Sequence, residues 1–219
     1  MRKTVVIIPS RLDSKRLPGK ALLDIDGKPL IVNVYDSAKG IYPTYVASYS
    51  DEIHDICKEY SIPCIRTHRE QQCNGTENCW EAANVLGMNN GDYVINIQGD
   101  KLVNSHIISH LRSMMTPSYH TLFCLYEKEG NNRVRVVVDK EDNAHYFTRS
   151  EIPHPFHCGV YGYTVAFLNR YKAWGQGKWE KHEGLEQMRV LENGCYIKCF
   201  QTENSGHSIN LEADILSIA

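Results

Sequence analysis

The 219-residue chain is 42% hydrophobic and 23% charged, with a formal net charge of −2, a balance that allows a sizeable buried core in a soluble chain. That charge argues against non-specific nucleic-acid binding, no apolar stretch approaches transmembrane length, and the first residues enter a strand with no signal-peptide pattern; a cytoplasmic location is expected, with neither nucleic acid nor membrane as partner. The eight cysteines (Cys57, Cys64, Cys73, Cys79, Cys124, Cys158, Cys195 and Cys199) form no CxxC pair, which argues against zinc, and the length favours one domain over two.

Residues 4–8 are apolar or β-branched without alternation, too short for a typical helix, and read as a parallel strand buried on both faces. The loop that follows holds Arg11, Lys15, Arg16 and Lys20, shaped by Pro9, Pro18 and Gly19. Open α/β sheets bind ligands at such strand ends, and cations that repel one another in one loop suit a polyanion such as a nucleoside triphosphate. A solvated basic loop is the alternative for the cations taken by themselves; the strand and the Pro and Gly weigh against it. A turn at Asp26-Gly27 precedes a helix opened by Pro29 and ended at Gly40, with Leu30, Ile31, Val34, Tyr35 and Ala38 at helical spacing. A strand over 45–49, a helix over 52–60 capped by Asp51 and a strand over 62–66 continue an alternation that marks a parallel sheet with crossover helices.

Asn74-Gly75 is a turn before a helix with Thr76 as N-cap and Cys79, Trp80, Ala83 and Leu86 toward the core. Backbone groups exposed there can read a base edge or a ribose, as they can in any strand-to-helix connection. A nucleophilic thiol at Cys73 or Cys79 is a further alternative, without an evident base. Residues 93–97, YVINI, form a buried strand ending in Gln98-Gly99-Asp100. A carboxylate at the tip of a central strand, after a glycine that permits close backbone approach, is well placed to hold Mg²⁺ on a phosphate. A helix over 104–115 follows. Strands are then expected at 121–126, 133–139, 143–148, 159–167 and 196–200, with a hairpin at Asp142-Asn143 and a helix over 183–192. With no repeat or linker, this half reads as an antiparallel extension of the same sheet.

In order along the chain, IIPSRLDSKRLPGKAL, DIDGKPLI, NGTE, INIQGD, YFTRSEIP, HCGVYGY and LEQMRVLENG resemble the motifs of the 3-deoxy-manno-octulosonate cytidylyltransferases, or CMP-KDO synthetases. The resemblance implies an α/β fold: a single nucleotidyltransferase domain (nucleotide-diphospho-sugar transferase, Rossmann-like) with a mixed sheet and antiparallel extension. Residues 1–116 would be its nucleotide-binding half and 117–219 its sugar-binding and dimerisation half, in a homodimer. It implies CMP transfer from CTP to an eight-carbon sugar acid with release of pyrophosphate and Mg²⁺ as cofactor. Arg16, Lys20 and Asp100 would be catalytic; Arg11, Arg16 and Lys20 would hold the triphosphate, and Asn74, Gly75 and Gln98 would surround the nucleoside. Arg149, His157, Glu186 and Gln187 would contact the sugar acid, Arg149 facing its carboxylate as suits a planar guanidinium. Asp100 and Asn210 would be the metal ligands. Without the resemblance, Glu186 reads as an exposed helix position.

The chain also departs from that pattern. Lys101-Leu102 stands where Glu-Pro usually follows QGD, Asn78 where the NGTE segment usually ends in Arg, and Asn210 where an aspartate usually shares the metal. Three residues separate Pro153 from His157, where the family carries a longer loop. A cation at Lys101 pointing inward would weaken metal binding, and an amide at Asn210 brings no charge. Three readings follow: a KDO-type enzyme, a cytidylyltransferase for another small acid, and a catalytically impaired nucleotide-binding paralogue.

Overall fold

The apolar run behind the basic loop forms β1 (Thr4–Pro9), with Val5 to Pro9 buried. It belongs to a computed structural model that describes residues 2–13, 17–71, 74–118, 120–129 and 134–209. A short hairpin, β2 (Asp24–Ile25) and β3 (Lys28–Pro29), turns at Asp26-Gly27 into α1 (Leu30–Ala38). Strand and helix then alternate through β4 (Thr44–Ser48), α2 (Asp51–Glu59), β5 (Cys64–Arg66), α3 (Gly75–Val85) and β6 (Tyr93–Ile97). After β7 (Lys101–Leu102) and α4 (Ser105–Met114) come β8 (Thr121–Glu127), β9 (Arg135–Val138), β10 (Ala144–Thr148) and β11 (Phe156–Thr164). The chain closes with α5 (Val165–Trp174), α6 (Lys178–Glu183), α7 (Gln187–Glu192), β12 (Tyr196–Gln201) and β13 (His207–Ser208).

One nine-stranded sheet draws strands from both halves of the chain, making the fold a mixed α/β one. β5, β4, β1 and β6 lie side by side and parallel. β11 joins antiparallel to β6 and carries β8 and β9 on its other edge, with β10 beyond β9. Successive residues of a strand face opposite sides, so Ile7 enters one core with Val94, Phe147, Phe167 and Met188, and Ile8 the other with Ile31, Ile95 and Leu111. Each such side chain contributes about 1.5–3 kcal/mol when fully buried. Cys57, Cys79, Cys124 and Cys199 are fully buried among them; burial pushes the Cys79 thiol up, so it is packed as a small hydrophobe rather than poised as a nucleophile. Among the described residues no helix is long and apolar enough to cross a membrane.

Several expected details are corrected. β12 is parallel to β8, because β11 is antiparallel to β8 and ends beside its start, and α5 to α7 return the chain to that same end. The strand expected over 159–167 stops at Thr164, whose hydroxyl accepts from Phe167 N (3.1 Å) and caps α5. The helix expected over 183–192 is two, separated at Gly184 with φ 64°. The N-cap of α3 is Asn74, whose Oδ1 accepts from Glu77 N at 3.0 Å, and Thr76 lies buried in the first turn.

Candidate active site

The carboxyl ends of β1 and β6 lie side by side because the strands are parallel neighbours, and the site grows from the turn that follows β6. Lys101 N donates to Gln98 O (2.9 Å) and closes that turn. Gly99 presses against the end of β1 so closely that a Cβ there would stand 2.6 Å from Pro9 O, so a side chain at 99 would push the turn off β1. The turn projects Asp100 toward Lys20, and Nζ meets Oδ2 at 2.5 Å. The Lys20 side chain is nearly buried and the Asp100 side chain 32% exposed, leaving the carboxylate open to a ligand from the loop side. Arg11, in the same loop, is exposed, with Nε 3.6 Å from Asp13. Arg16 and Asn210, expected at the triphosphate and the metal, lie outside the described residues, as does Cys73.

Gln98 and the start of α3 form the adjoining wall. A Cβ on Gly75 would stand 3.3 Å from Pro9 Cγ and 3.4 Å from Gln98 Nε2. Gln98 Nε2 donates to one oxygen of Glu186 (3.0 Å), and Thr76 N donates to the other (2.9 Å). Glu186, read from its pattern as an exposed position, is therefore turned inward; burial raises its carboxyl above the usual range, and the Thr76 N–H works against that rise. Asn78, in place of the usual Arg, is buried and donates to Ala47 O (3.2 Å), the carbonyl that Ser10 N also uses.

Beneath this wall is an ionic network that hydrophobic spacing does not reveal. Arg189 is 0% exposed and donates to Glu180 from Nε (2.6 Å) and Nη2 (3.0 Å) and to Glu77 from Nη1 (2.7 Å). Burial opposes its charge, but the carboxylates and the Tyr171 ring 4.3 Å away hold the guanidinium protonated. Asn74 Nδ2 donates to both Glu180 and the Tyr171 hydroxyl at 2.8 Å, and that hydroxyl donates to Glu186 O (3.2 Å). The network thus ties α6 and α7 to the start of α3.

Apart from this wall, His157 is 2% exposed, stacked on Tyr161 with centroids 5.1 Å apart and edge-on to Phe147 at 5.4 Å. Gly159 N donates to its Nδ1 (3.3 Å), so the neutral ring carries its proton on Nε2. Gln187 is buried and donates to the Tyr161 hydroxyl. Arg149 is exposed just beyond β10, and its charge reaches the His157 ring. Burial, then Lys101, then Arg149 lower the His157 pKa to about 3. The unfolded chain therefore binds a proton below about pH 6.5 that the folded chain refuses until about pH 3, and stability falls as pH falls through that window. Between pH 7 and 5 the loss from this ring should be about 2 kcal/mol, at about 1.4 kcal/mol per pH unit below 6.5. Urea unfolding of wild type and His157→Phe at both pH values checks it, the wild type losing the more.

Lys20, Asp100, Asn74, Gly75, Gln98 and Glu186 thus share one connected wall, and His157 and Gln187 share a second through Tyr161. Sequence reasoning missed Glu180 and Tyr171 altogether and quoted Glu77 and Arg189 only within their motifs. Among the described residues no group of three or more His, Cys, Asp or Glu side chains gathers as a metal centre. A single carboxylate nevertheless fits Mg²⁺, which is held by one or two carboxylates and completed by phosphate oxygens and water.

A family model described as cytidylyltransferase matches residues 5–203. The 3-deoxy-manno-octulosonate cytidylyltransferase of Acinetobacter baumannii is 32% identical over 96% of this chain and 94% of its own. The protein of the same name from Neisseria gonorrhoeae is 36% identical over 89% and 87%. A solved structure of CMP:2-keto-3-deoxy-manno-octonic acid synthetase complexed with CTP aligns with a TM-score of 0.85 at 28% identity, over 99% of this chain and 96% of its own. An inositol-1-phosphate CTP transferase from T. maritima, at 16% identity and a TM-score of 0.64 over 98% of this chain and 91% of its own, shares the fold.

Proposed function

Because the chain belongs to the cytidylyltransferase family, with relatives named 3-deoxy-manno-octulosonate cytidylyltransferase, we propose that it transfers CMP from CTP to KDO or a closely related sugar acid. The observation that carries this reading is the Lys20–Asp100 pair at the carboxyl ends of β1 and β6, on the same wall as Gln98 and Glu186. A cation for phosphate and a carboxylate for its counter-ion stand where a parallel sheet binds nucleotides. The acceptor hydroxyl oxygen bonds to the α-phosphorus, the bond from that phosphorus to the bridging oxygen breaks, pyrophosphate leaves, and the hydroxyl proton passes to solvent. Lys20, with Arg11 and Arg16, holds the triphosphate and stabilises charge moving onto the leaving pyrophosphate. Asn74, Gly75 and Gln98 line the nucleoside; Arg149, His157, Glu186 and Gln187 orient the acid. Mg²⁺ held at Asp100, with Asn210 as a second oxygen donor, would neutralise phosphate oxygens.

The same reading assigns 1–219 to one domain, in a cytoplasmic homodimer assembled through residues 117–219, which light scattering at micromolar concentration tests. A second acceptor class, another small acid, is favoured by the short connection from Pro153 to His157. Pyrophosphate release from CTP, Mg²⁺ and KDO, with ATP, GTP and UTP as controls and a panel of small acids, separates the two. Turnover confined to CTP with KDO is expected. CTP binding with no release for any acceptor would favour the impaired paralogue.

A further inference from the structure

The turn that carries Asp100 is gripped from a side the proposed chemistry does not use. Lys101 is 2% exposed, and its ammonium points away from the Lys20–Asp100 pair. Nζ donates to Ser205 Oγ (2.8 Å) and to Gly206 O (2.9 Å). Around those bonds the chain forms a small antiparallel ladder, β7 on β13, with Lys101 opposite Ser208 and Leu102 opposite His207. Three further contacts fasten the same segment. Ser205 N donates to the Glu127 carboxylate, Ile209 is 0% exposed in the core shared with α1 and α4, and Ile209 N donates to the backbone carbonyl of Asp100 itself (2.9 Å). The approach is tight: at Gly206, φ 86°, a Cβ would stand 2.0 Å from Leu102 O. A buried ammonium is costly unless its donors are used, and here two of them go to one short stretch of chain.

We propose that Lys101 is a positioning residue: through Ser205 and Gly206 it latches the 205–209 segment across the Asp100 turn and so fixes where the Asp100 carboxylate stands. The role of Asp100 in this inference rests on the function proposed above. The Lys101 ammonium and the 205–209 segment grip the turn from behind, and the bonds they make reach neither the Gln98 and Glu186 side chains nor the start of α3. Its loss therefore weakens what Asp100 does and spares nucleotide recognition.

Two variants at opposite ends of the latch test it. Lys101→Met keeps the apolar stem and removes the ammonium, and Gly206→Ala drives the segment off β7. Hydrogen exchange at the Ile209 amide is expected to speed at least tenfold in both, with exchange in β6 unchanged. kcat for pyrophosphate release should fall about 10- to 100-fold, the range for losing an outer group that orients a metal-binding residue, while KM for CTP stays within about twofold. Unchanged exchange at Ile209 in both variants overturns the latch. Faster exchange with kcat intact overturns the positioning role and leaves a tie that only holds the fold. Should the wild type turn over no acceptor, it is the functional reading that fails, and Mn²⁺ binding in the presence of CTP then decides: tenfold weaker binding in Lys101→Met upholds the latch, and equal binding overturns it.

Discussion

Replacing Arg189 with Met is expected to cost about 3–5 kcal/mol of folding stability, the range for removing one partner of a buried ion pair. The side chain is wholly buried between Glu77 and Glu180, which are 2% and 3% exposed. Methionine fills much of the volume but leaves two carboxylates in the interior. Glu77 retains Lys172 at 3.3 Å, whereas Glu180 keeps the Asn74 amide and no cation that bonds it among the described residues. Urea unfolding at pH 7 measures the loss. A loss below about 1 kcal/mol would mean that the three helices hold together without the network. CTP affinity should weaken as well, since Asn74 and the Tyr171 hydroxyl both hang from the same carboxylate and aromatic framework.

The second large effect is on chemistry. Lys20→Met should lower kcat/KM for pyrophosphate release by about 100- to 1000-fold, the scale for deleting one preorganised donor at a site of developing charge. Stability should move by no more than about 1 kcal/mol, because methionine keeps the packed stem and Asp100, with a third of its side chain exposed, regains water. Isothermal titration with CTP separates the causes: weaker binding together with slower turnover indicates that the ammonium holds phosphate. If affinity and rate are both retained, the 2.5 Å contact with Asp100 merely ties the turn after the basic loop to β6.

The parallel half of the fold was legible because its strands are continuous apolar runs and its helices keep a 3.6-residue spacing. β6 was expected over 93–97 and is found at Tyr93–Ile97. The later half was harder. Residues 165–167, Val-Ala-Phe, suit a strand by composition, and it is the Thr164 hydroxyl on Phe167 N that turns them into α5. Local propensity is weak there, and tertiary packing decides. In the same way, the apolar Leu191 of α7 is only partly buried while Arg189, a cation, is fully so, because the carboxylates of Glu180 and of the distant Glu77 hold the guanidinium.

Lys101 shows the same limit at the site. In sequence it is a cation next to Asp100 that threatens a metal; in space its ammonium turns to Ser205 and Gly206, more than a hundred residues later in the chain. The sequence by itself determined the alternation of strand and helix, the family resemblance and the residues that carry it, since these are written in local pattern and ordered motifs. Only the tertiary structure decided which charges meet: Lys20 with Asp100, Gln98 with Glu186, Arg189 with Glu77 and Glu180, Lys101 with the 205–209 segment. The physical reason is that a buried charge or amide is tolerated only beside its partner, and the partner's position is a property of the packed sheet and helices rather than of spacing along the chain.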